Sequence, residues 1–312
     1  MTDEGSFPTP PVLGAGGPSS PPLLGAEGLA QFGTVAIIGV GLIGGSLGMA
    51  LKTRRLAANV VGIGRRPERL QQAVQMGAID RATTDLHTGL ADADIVVLCT
   101  TIGNILETLP DVLEHVKADA VVTDVGSAKT QIVARAQSAP HFVGSHPMAG
   151  SERTGVEAAT PLLFQEATWA LTPTDDTDPR ALQTIRTLAQ EIGAATLVLP
   201  PETHDALVAV TSHLPHVMAS ALMRQAADIR AQTPEIRRLA AGSFADMTRV
   251  AAASPDIWRD VCLSNRDAIL SALTAYRAQL DALQAAVEAA DPAALEAFFA
   301  EGAAAKRDWS AS

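Results

Sequence analysis

Cysteine is almost absent: the 312 residues hold two, Cys99 and Cys262, far apart, with neither a C-x-x-C pair nor a histidine at ligand spacing. That excludes a disulfide scaffold and offers no thiolate metal site, so both read as free thiols of a cytoplasmic protein and no metal is expected. Aromatic residues make up only 4% of the chain, so core volume must come from Ala, Leu, Val and Ile. Positive charge is in deficit, with 23 Lys and Arg against 34 Asp and Glu for a net charge of −11. Without a broad basic surface, nucleic acid is not an expected partner. No run reaches the roughly 18 uninterrupted apolar residues of a membrane span. The N-terminus also lacks a basic segment followed by an apolar one, the mark of an export signal. The expectation is a cytoplasmic protein with no membrane partner.

What the sequence does hold is apolar material: it is 47% hydrophobic and 18% charged, enough for about two packed domains. Residues 1–30 contain six Gly, six Pro and three Ser without periodic apolar spacing. They bury too little to offset chain entropy and are expected to form a disordered tail. The competing reading docks this segment on the body through Val12, Leu13, Leu23 and Leu24. From Thr34 a β-branched run leads into glycines and then an apolar helical pattern, which is strand, tight turn, helix. Apolar runs at 59–63, 93–99 and 120–123 alternate with helical spacing at 69–76 and 105–116, and further runs follow at 142–145, 168–171 and 196–199. The alternation predicts an α/β domain over 31–200, a doubly wound parallel sheet with helices between its strands. After Pro200-Pro201 the segments 202–229, 235–252, 257–290 and 292–305 are rich in Ala and Leu at helical spacing, so 201–312 is expected to be an all-α domain. Its apolar faces exceed what one small bundle buries, which predicts partner helices from a second subunit.

Gly39-Val40-Gly41-Leu42-Ile43-Gly44 is a G-x-G-x-x-G loop between a strand and a helix, the context in which such glycines bind a dinucleotide. Gly39 permits the turn, Gly41 lets the backbone approach a pyrophosphate, and Gly44 lets the helix pack on the strand, with the helix N-terminus facing the anion. Thr100 and Gly126, near the ends of neighbouring strands, complete the expected cofactor contacts of a Rossmann-like domain. Where an acid would hold the ribose 2′-hydroxyl of NAD, the second strand ends in Gly64-Arg65-Arg66. Arg65 and Arg66 suit a 2′-phosphate, which predicts a preference for NADP with residual use of NAD.

Two further loops fall just after apolar strands, at the carboxyl edge where open α/β sheets bind ligands. They are Asp124-Val125-Gly126-Ser127-Ala128-Lys129 and Ser145-His146-Pro147-Met148-Ala149-Gly150-Ser151-Glu152. A neutral imidazole held in such a loop accepts a hydroxyl proton near neutral pH. In the helical half, Ser212-His213-Leu214-Pro215-His216 sets two histidines three apart, and the segment ending at Arg249 together with Trp258 adds a cation and an aromatic wall. His213 on its own reads as a packed or capping residue. His87, His115, His141 and His204 read as surface or structural, because polar side chains are mostly exposed.

These five motifs, in this order, resemble the prephenate and arogenate dehydrogenase family from about Thr34 to Trp258. The resemblance implies NAD(P)-dependent oxidative decarboxylation of prephenate to 4-hydroxyphenylpyruvate, in a homodimer joined through the helical domain. Carried onto matching positions, it makes His146 the group that draws the ring-hydroxyl proton and Ser127 the residue that orients it. His216 and Arg249 would hold the substrate, with Ser212, Ser151 and Trp258 completing the pocket. Arogenate as substrate is the first alternative, and an acid facing its ammonium, Glu152 or Glu157, would favour it. A β-hydroxyacid dehydrogenase or imine reductase shares the two-domain plan, and a dinucleotide-sensing protein without turnover is the non-enzyme alternative. No residues remain after the last helix for a regulatory domain of the kind some relatives carry, so tyrosine feedback is expected in the active site if anywhere.

Overall fold

The computed structural model describes residues 30–151 and 153–311. The expected tail, apart from Ala30, and Glu152 therefore lie outside the described residues. Among the described residues the strands are β1 (Phe32–Ile38), β2 (Ala57–Ile63), β3 (Arg81–Thr83), β4 (Ile95–Leu98), β5 (Val121–Asp124), β6 (Phe142–Pro147), β7 (Thr168–Thr172) and β8 (Ala195–Val198). They form one sheet in the order β3-β2-β1-β4-β5-β6-β7-β8. Helices α1 (Leu42–Thr53), α2 (Pro67–Gln75), α3 (Leu86–Leu90), α4 (Ile102–His115), α5 (Thr130–Arg135) and α6 (Pro179–Glu191) are interleaved with them. The helical half follows as α7 (Pro201–Val208), α8 (Leu214–Gln232), α9 (Ile236–Leu239), α10 (Gly242–Thr248), α11 (Pro255–Ser264), α12 (Arg266–Glu288) and α13 (Pro292–Ala311).

The central strands read as unbroken apolar runs because both faces of the sheet are covered. Along β1, Val35 and Ile37 enter one core with Leu47 and Leu51 of α1 and with Ile185 and Leu188 of α6. Ala36 and Ile38 point the opposite way, as strand alternation requires. They enter a second core with Ile105 and Leu109 of α4, Ile132 of α5, and Leu214, Val261 and Ile269 from the helical half. The helical half is thus packed onto one face of the sheet, beside the carboxyl ends of its strands.

The sheet departs from the all-parallel expectation at one place. Strands β1 to β6 pair parallel, but β7 runs antiparallel to β6, with Ser145 opposite Leu171 and His146 opposite Ala170. A parallel return needs a helical crossover, and the described residues between β6 and β7 hold only the short turn Val156–Ala158. The next connection does contain a helix, α6, and β8 accordingly pairs parallel with β7.

The expected helix over 257–290 breaks at Asn265, whose φ of −111° and ψ of 36° end α11 and start α12. Pro215 lies inside the continuous helical run 201–232, and the π-turn at Ala209–His213 just before it accommodates the missing N–H. The helical run Pro201–Gln232 is long and apolar enough to cross a membrane by length and composition. That goes beyond the sequence expectation; the same run carries His204, Asp205 and His213 buried inside the protein, while 28% of its apolar window is buried.

Candidate active site

A cavity of about 980 Å³ opens where the strand order reverses, between the ends of β1 and β4, and continues under the helical half. At its dinucleotide end Gly39 has a φ of +94°, and a Cβ there would sit 2.8 Å from the Cys99 carbonyl oxygen. Only glycine makes this turn without strain. Gly41, at the N-cap of α1, has no atom within 4 Å of where its Cβ would be. The chain itself does not require glycine at this position, whereas close approach of a phosphate does. Gly44 lies outside the lining and allows helix-to-strand packing, since its Cβ would collide with the Gly39 carbonyl oxygen. No side chain caps α1, so its first backbone N–H groups are turned toward an anion. Across the cleft, the Thr100 hydroxyl is buried with no hydrogen-bond partner among the described residues. Arg65 and Arg66 line the far end together with Arg69 on α2, a third guanidinium the sequence reading did not single out. These features fit a bound nicotinamide dinucleotide.

The other end is built on the β5–β6 boundary, where the ladder holds only two paired positions, Val122↔Phe142 and Thr123↔Val143. Past them side chains take over. Asp124 accepts the backbone N–H of Ser145 (3.1 Å) and of Gly126 (2.7 Å). Lys129, fully buried, is ion-paired to Asp124 and donates to the Ser145 carbonyl at 2.7 Å. The Ser145 hydroxyl donates to the Asp124 carbonyl at 2.6 Å and accepts the Trp169 indole N–H at 3.0 Å. Burial lowers the Lys129 pKa, with Asp124 pulling it back up. This web fixes the backbone immediately before His146.

His146 is 8% exposed and lines the cavity. Its Nδ1 lies 2.9 Å from Nε2 of His204, and His204 Nδ1 lies 2.8 Å from the Asp205 carboxylate. A carboxylate only accepts, so His204 Nδ1 carries a proton. If that ring holds a single proton, its Nε2 accepts from His146 Nδ1, and Nε2 is then the unprotonated nitrogen of His146. Burial first, and then His204, Lys129 and His213, hold the His146 pKa well below the usual 6.5. Asp205 also accepts the backbone N–H groups of Lys129 (2.7 Å) and Thr130 (2.9 Å) at the start of α5. Burial pushes the Asp205 carboxyl up, but its bonds from His204, Thr130 and Lys129 outweigh this and hold it below the usual value.

Beyond His146 lie the helical residues. His216 stacks on Trp258 with centroids 3.8 Å apart, and its Nδ1 donates to the Ser212 carbonyl at 3.1 Å. Burial lowers its pKa, Ser212 opposes this, and the nearby Arg249 charge lowers it further. His213 is buried against the Trp258 edge and accepts from Asn265, and burial pushes its pKa down to about 4 against the pull of Asp205.

Gly39, Val40, Gly41, Leu42, Ile43, Arg65, Arg66, Thr100, Gly126, Ser127, His146, Ser151, Ser212, His216, Arg249 and Trp258 all line this one cavity. His204 corrects the sequence reading: it is not a surface or merely structural residue but 2% exposed and bonded to His146. Asp205, Asn265 and Arg153 were not singled out either, and Lys129 was named only as the end of the Asp124–Lys129 motif. The one available signal was His204-Asp205 in the first turns of a helix opened by Pro200-Pro201, two polar residues that an amphipathic pattern leaves unassigned. Glu157 does not line the cavity, and no described lining residue is a carboxylate, while five are arginines.

The chain matches two family models. Residues 47–198 match the prephenate dehydrogenase nucleotide-binding domain and residues 200–301 the prephenate dehydrogenase dimerization domain. It is 35% identical over 271 residues to prephenate dehydrogenase of Bacillus subtilis, covering 85% of this chain and 73% of that one. The structure of Aquifex aeolicus prephenate dehydrogenase in complex with hydroxyphenyl propionate and NAD+ aligns with a TM-score of 0.81 at 30% identity, over 89% of this chain and 98% of that one. Synechocystis arogenate dehydrogenase aligns at 0.74 and 32% identity, over 88% and 99%.

Proposed function

The chain belongs to the prephenate dehydrogenase family, and from that premise we propose that it converts prephenate to 4-hydroxyphenylpyruvate and CO2 with a nicotinamide cofactor, preferring NADP. The observation that carries this reading is the His146–His204–Asp205 chain of contacts, with His146 lining the cavity. In the reaction the ring hydroxyl proton passes to His146 Nε2. The carbon bearing that hydroxyl gives up a hydride, which the nicotinamide accepts when bound. The ring carboxylate leaves as CO2, its bonding electrons pass through the ring to the oxygen as the ring becomes aromatic, and that oxygen takes back the proton from His146 to give the phenol. The protein's main tasks are to hold the donor carbon in place and to take the proton.

Prephenate brings two carboxylates onto a chain of net charge −11. Arg249 answers one of them with a charge-assisted hydrogen bond, while His216, steadied by Trp258 and by its bond to Ser212, offers a second polar contact. Ser127, Ser151 and Ser212 complete the wall. An arogenate ammonium would meet arginines and no described carboxylate here, which favours prephenate. Arg65 and Arg66 hold the 2′-phosphate of NADP, and Arg69 beside them adds to the same field. The active form is a homodimer. Of the α8 residues only Leu214 and Ala219 are buried, and of the α12 residues only Ile269 and Ala272, while Met223, Ile229, Leu270, Leu280 and Val287 stand exposed.

Purified protein assayed with prephenate and with arogenate, each with NADP and with NAD, tests the reading. Prephenate with NADP should give the highest kcat/KM, and the Arg65→Ala, Arg66→Ala double variant should lose the cofactor preference. Equal or better kcat/KM with NAD in the wild type would make these arginines surface decoration. Turnover of arogenate alone would overturn the substrate.

A further inference from the structure

α3 and α4 carry a cluster whose residues do not line the cavity. His87 sits on α3, and Asp111 and His115 lie one turn apart on α4, a spacing that puts them on one face. His87 Nε2 is 3.2 Å from Asp111 Oδ1, and His115 Nδ1 is 2.9 Å from the same oxygen. His115 Nδ1 is also 2.9 Å from the Asp111 backbone carbonyl. The two imidazoles stack face to face, 3.9 Å between centroids and 13° between planes. One ligand atom from each residue falls within 4.8 Å of the others, and all three residues are exposed.

We propose that this His87–Asp111–His115 cluster is a surface binding site for a borderline divalent transition ion, with Zn2+ as the representative. Two imidazoles and one carboxylate suit zinc, cobalt, nickel or copper, whereas magnesium and calcium prefer all-oxygen shells. The atoms are close enough, although the stacked rings must turn for their nitrogens to converge on one ion, and His115 Nδ1 must release the Asp111 carbonyl to serve as a ligand. Ligands 2.0–2.1 Å from a tetrahedral centre stand about 3.3 Å apart, close to the 2.9 and 3.2 Å found between the nitrogens and Asp111. Three protein ligands leave the remaining position to water. The short helix α3 is pinned in place by Asp85, whose carboxylate accepts the Thr88 N–H at 2.7 Å, so His87 is presented by an ordered element. An ion here would clip α3 to α4, the helices that carry Leu86, Asn104 and Thr108 of the cofactor cleft.

Untagged, chelator-treated protein should be titrated with Zn2+ by calorimetry and with Co2+ by visible absorption, beside the His87→Ala, His115→Ala and Asp111→Asn variants. These side chains are exposed, so the variants should fold as the parent does. The expected result is saturable binding of one Zn2+ per chain, a rise in Tm on adding Zn2+ but not Mg2+, and Co2+ bands in the visible. Each single variant should weaken the site by at least ~10-fold. Zinc bound with equal affinity by wild type and by the His87→Ala, His115→Ala double variant would assign the metal to other histidines, such as those of the active site. That result, or no saturable binding in the wild type, overturns the proposal and leaves the cluster a hydrogen-bonded clip.

Discussion

A histidine acts as a base only through the nitrogen its neighbours leave bare, and for His146 that choice is made two residues away. On the proposed tautomers, Asp205 holds the proton on His204 Nδ1, and His204 Nε2 accepts from His146 Nδ1. Replacing His146 with Asn removes the acceptor altogether. kcat should fall by ~10²-fold or more while the Kd for NADP stays near its original value, and a near-normal kcat would take His146 out of the mechanism. His204 is a positioning residue, and its test separates geometry from mere packing. His204→Leu removes the acceptor for His146 Nδ1 and should lower kcat by ~10-fold or more with little change in the KM for prephenate. His204→Gln, whose amide oxygen still accepts, should recover most of that loss. Two variants with the same kcat as wild type would show that the tautomer is set by something else. Sequence reasoning found His146 because the end of an apolar strand at the carboxyl edge of the sheet announces a site, although the residue lies within β6 and not in the loop expected after it. It missed His204 and Asp205 because their role depends on the helical half swinging back over β6, a long-range contact with no local pattern.

At the level of elements, β5 and β6 are joined as much by side chains as by backbone. Two ladder pairs make a short seam, and the buried Asp124–Lys129 pair with its bonds to Ser145 carries the junction beyond it. Lys129→Met would leave the Asp124 carboxylate in the core without its counter-ion. Breaking such a pair from one side should destabilise the fold by about 3–5 kcal/mol, read as a drop in the urea midpoint. The Asp124→Asn, Lys129→Met double variant should recover part of the loss, because no uncompensated charge remains. A single variant as stable as wild type would show that water or rearrangement replaces the lysine. The strands with central positions, β1 and β4, were legible because burial on both faces leaves an unbroken apolar run. β3 and α3 were not, being only three and five residues long. The antiparallel β7 was hidden too, since strand direction follows from what connects two runs and not from the runs themselves. The split at Asn265 depends on bonds from its side chain to the Asp205 carbonyl and to His213, partners some fifty residues away or more in sequence.

For the molecule as a whole, the concentration of buried histidines at the join between its two halves links stability to pH. Burial depresses the pKa values of His146, His213 and His216, whereas in the unfolded chain each returns to about 6.5. Below that value the unfolded state binds protons that the folded state refuses, so stability rises with pH through this range and is lost on acidification. The sign follows from the depressed direction: these groups impose no penalty above pH 6.5, and the penalty grows as pH falls toward the folded value, about 4 for His213. His213 alone should account for a loss of about 3 kcal/mol across that window. Asp205, held below the usual carboxylate value, adds its own loss only at lower pH. Urea unfolding followed from pH 6.5 down to about 4, at fixed ionic strength and protein concentration so that dimerisation does not shift the midpoint, should show a falling midpoint. In His213→Leu the fall should be shallower, because one of the titrating groups is gone. A midpoint that stays flat over this window in the wild type would mean that the join opens to water and lets its histidines protonate without unfolding.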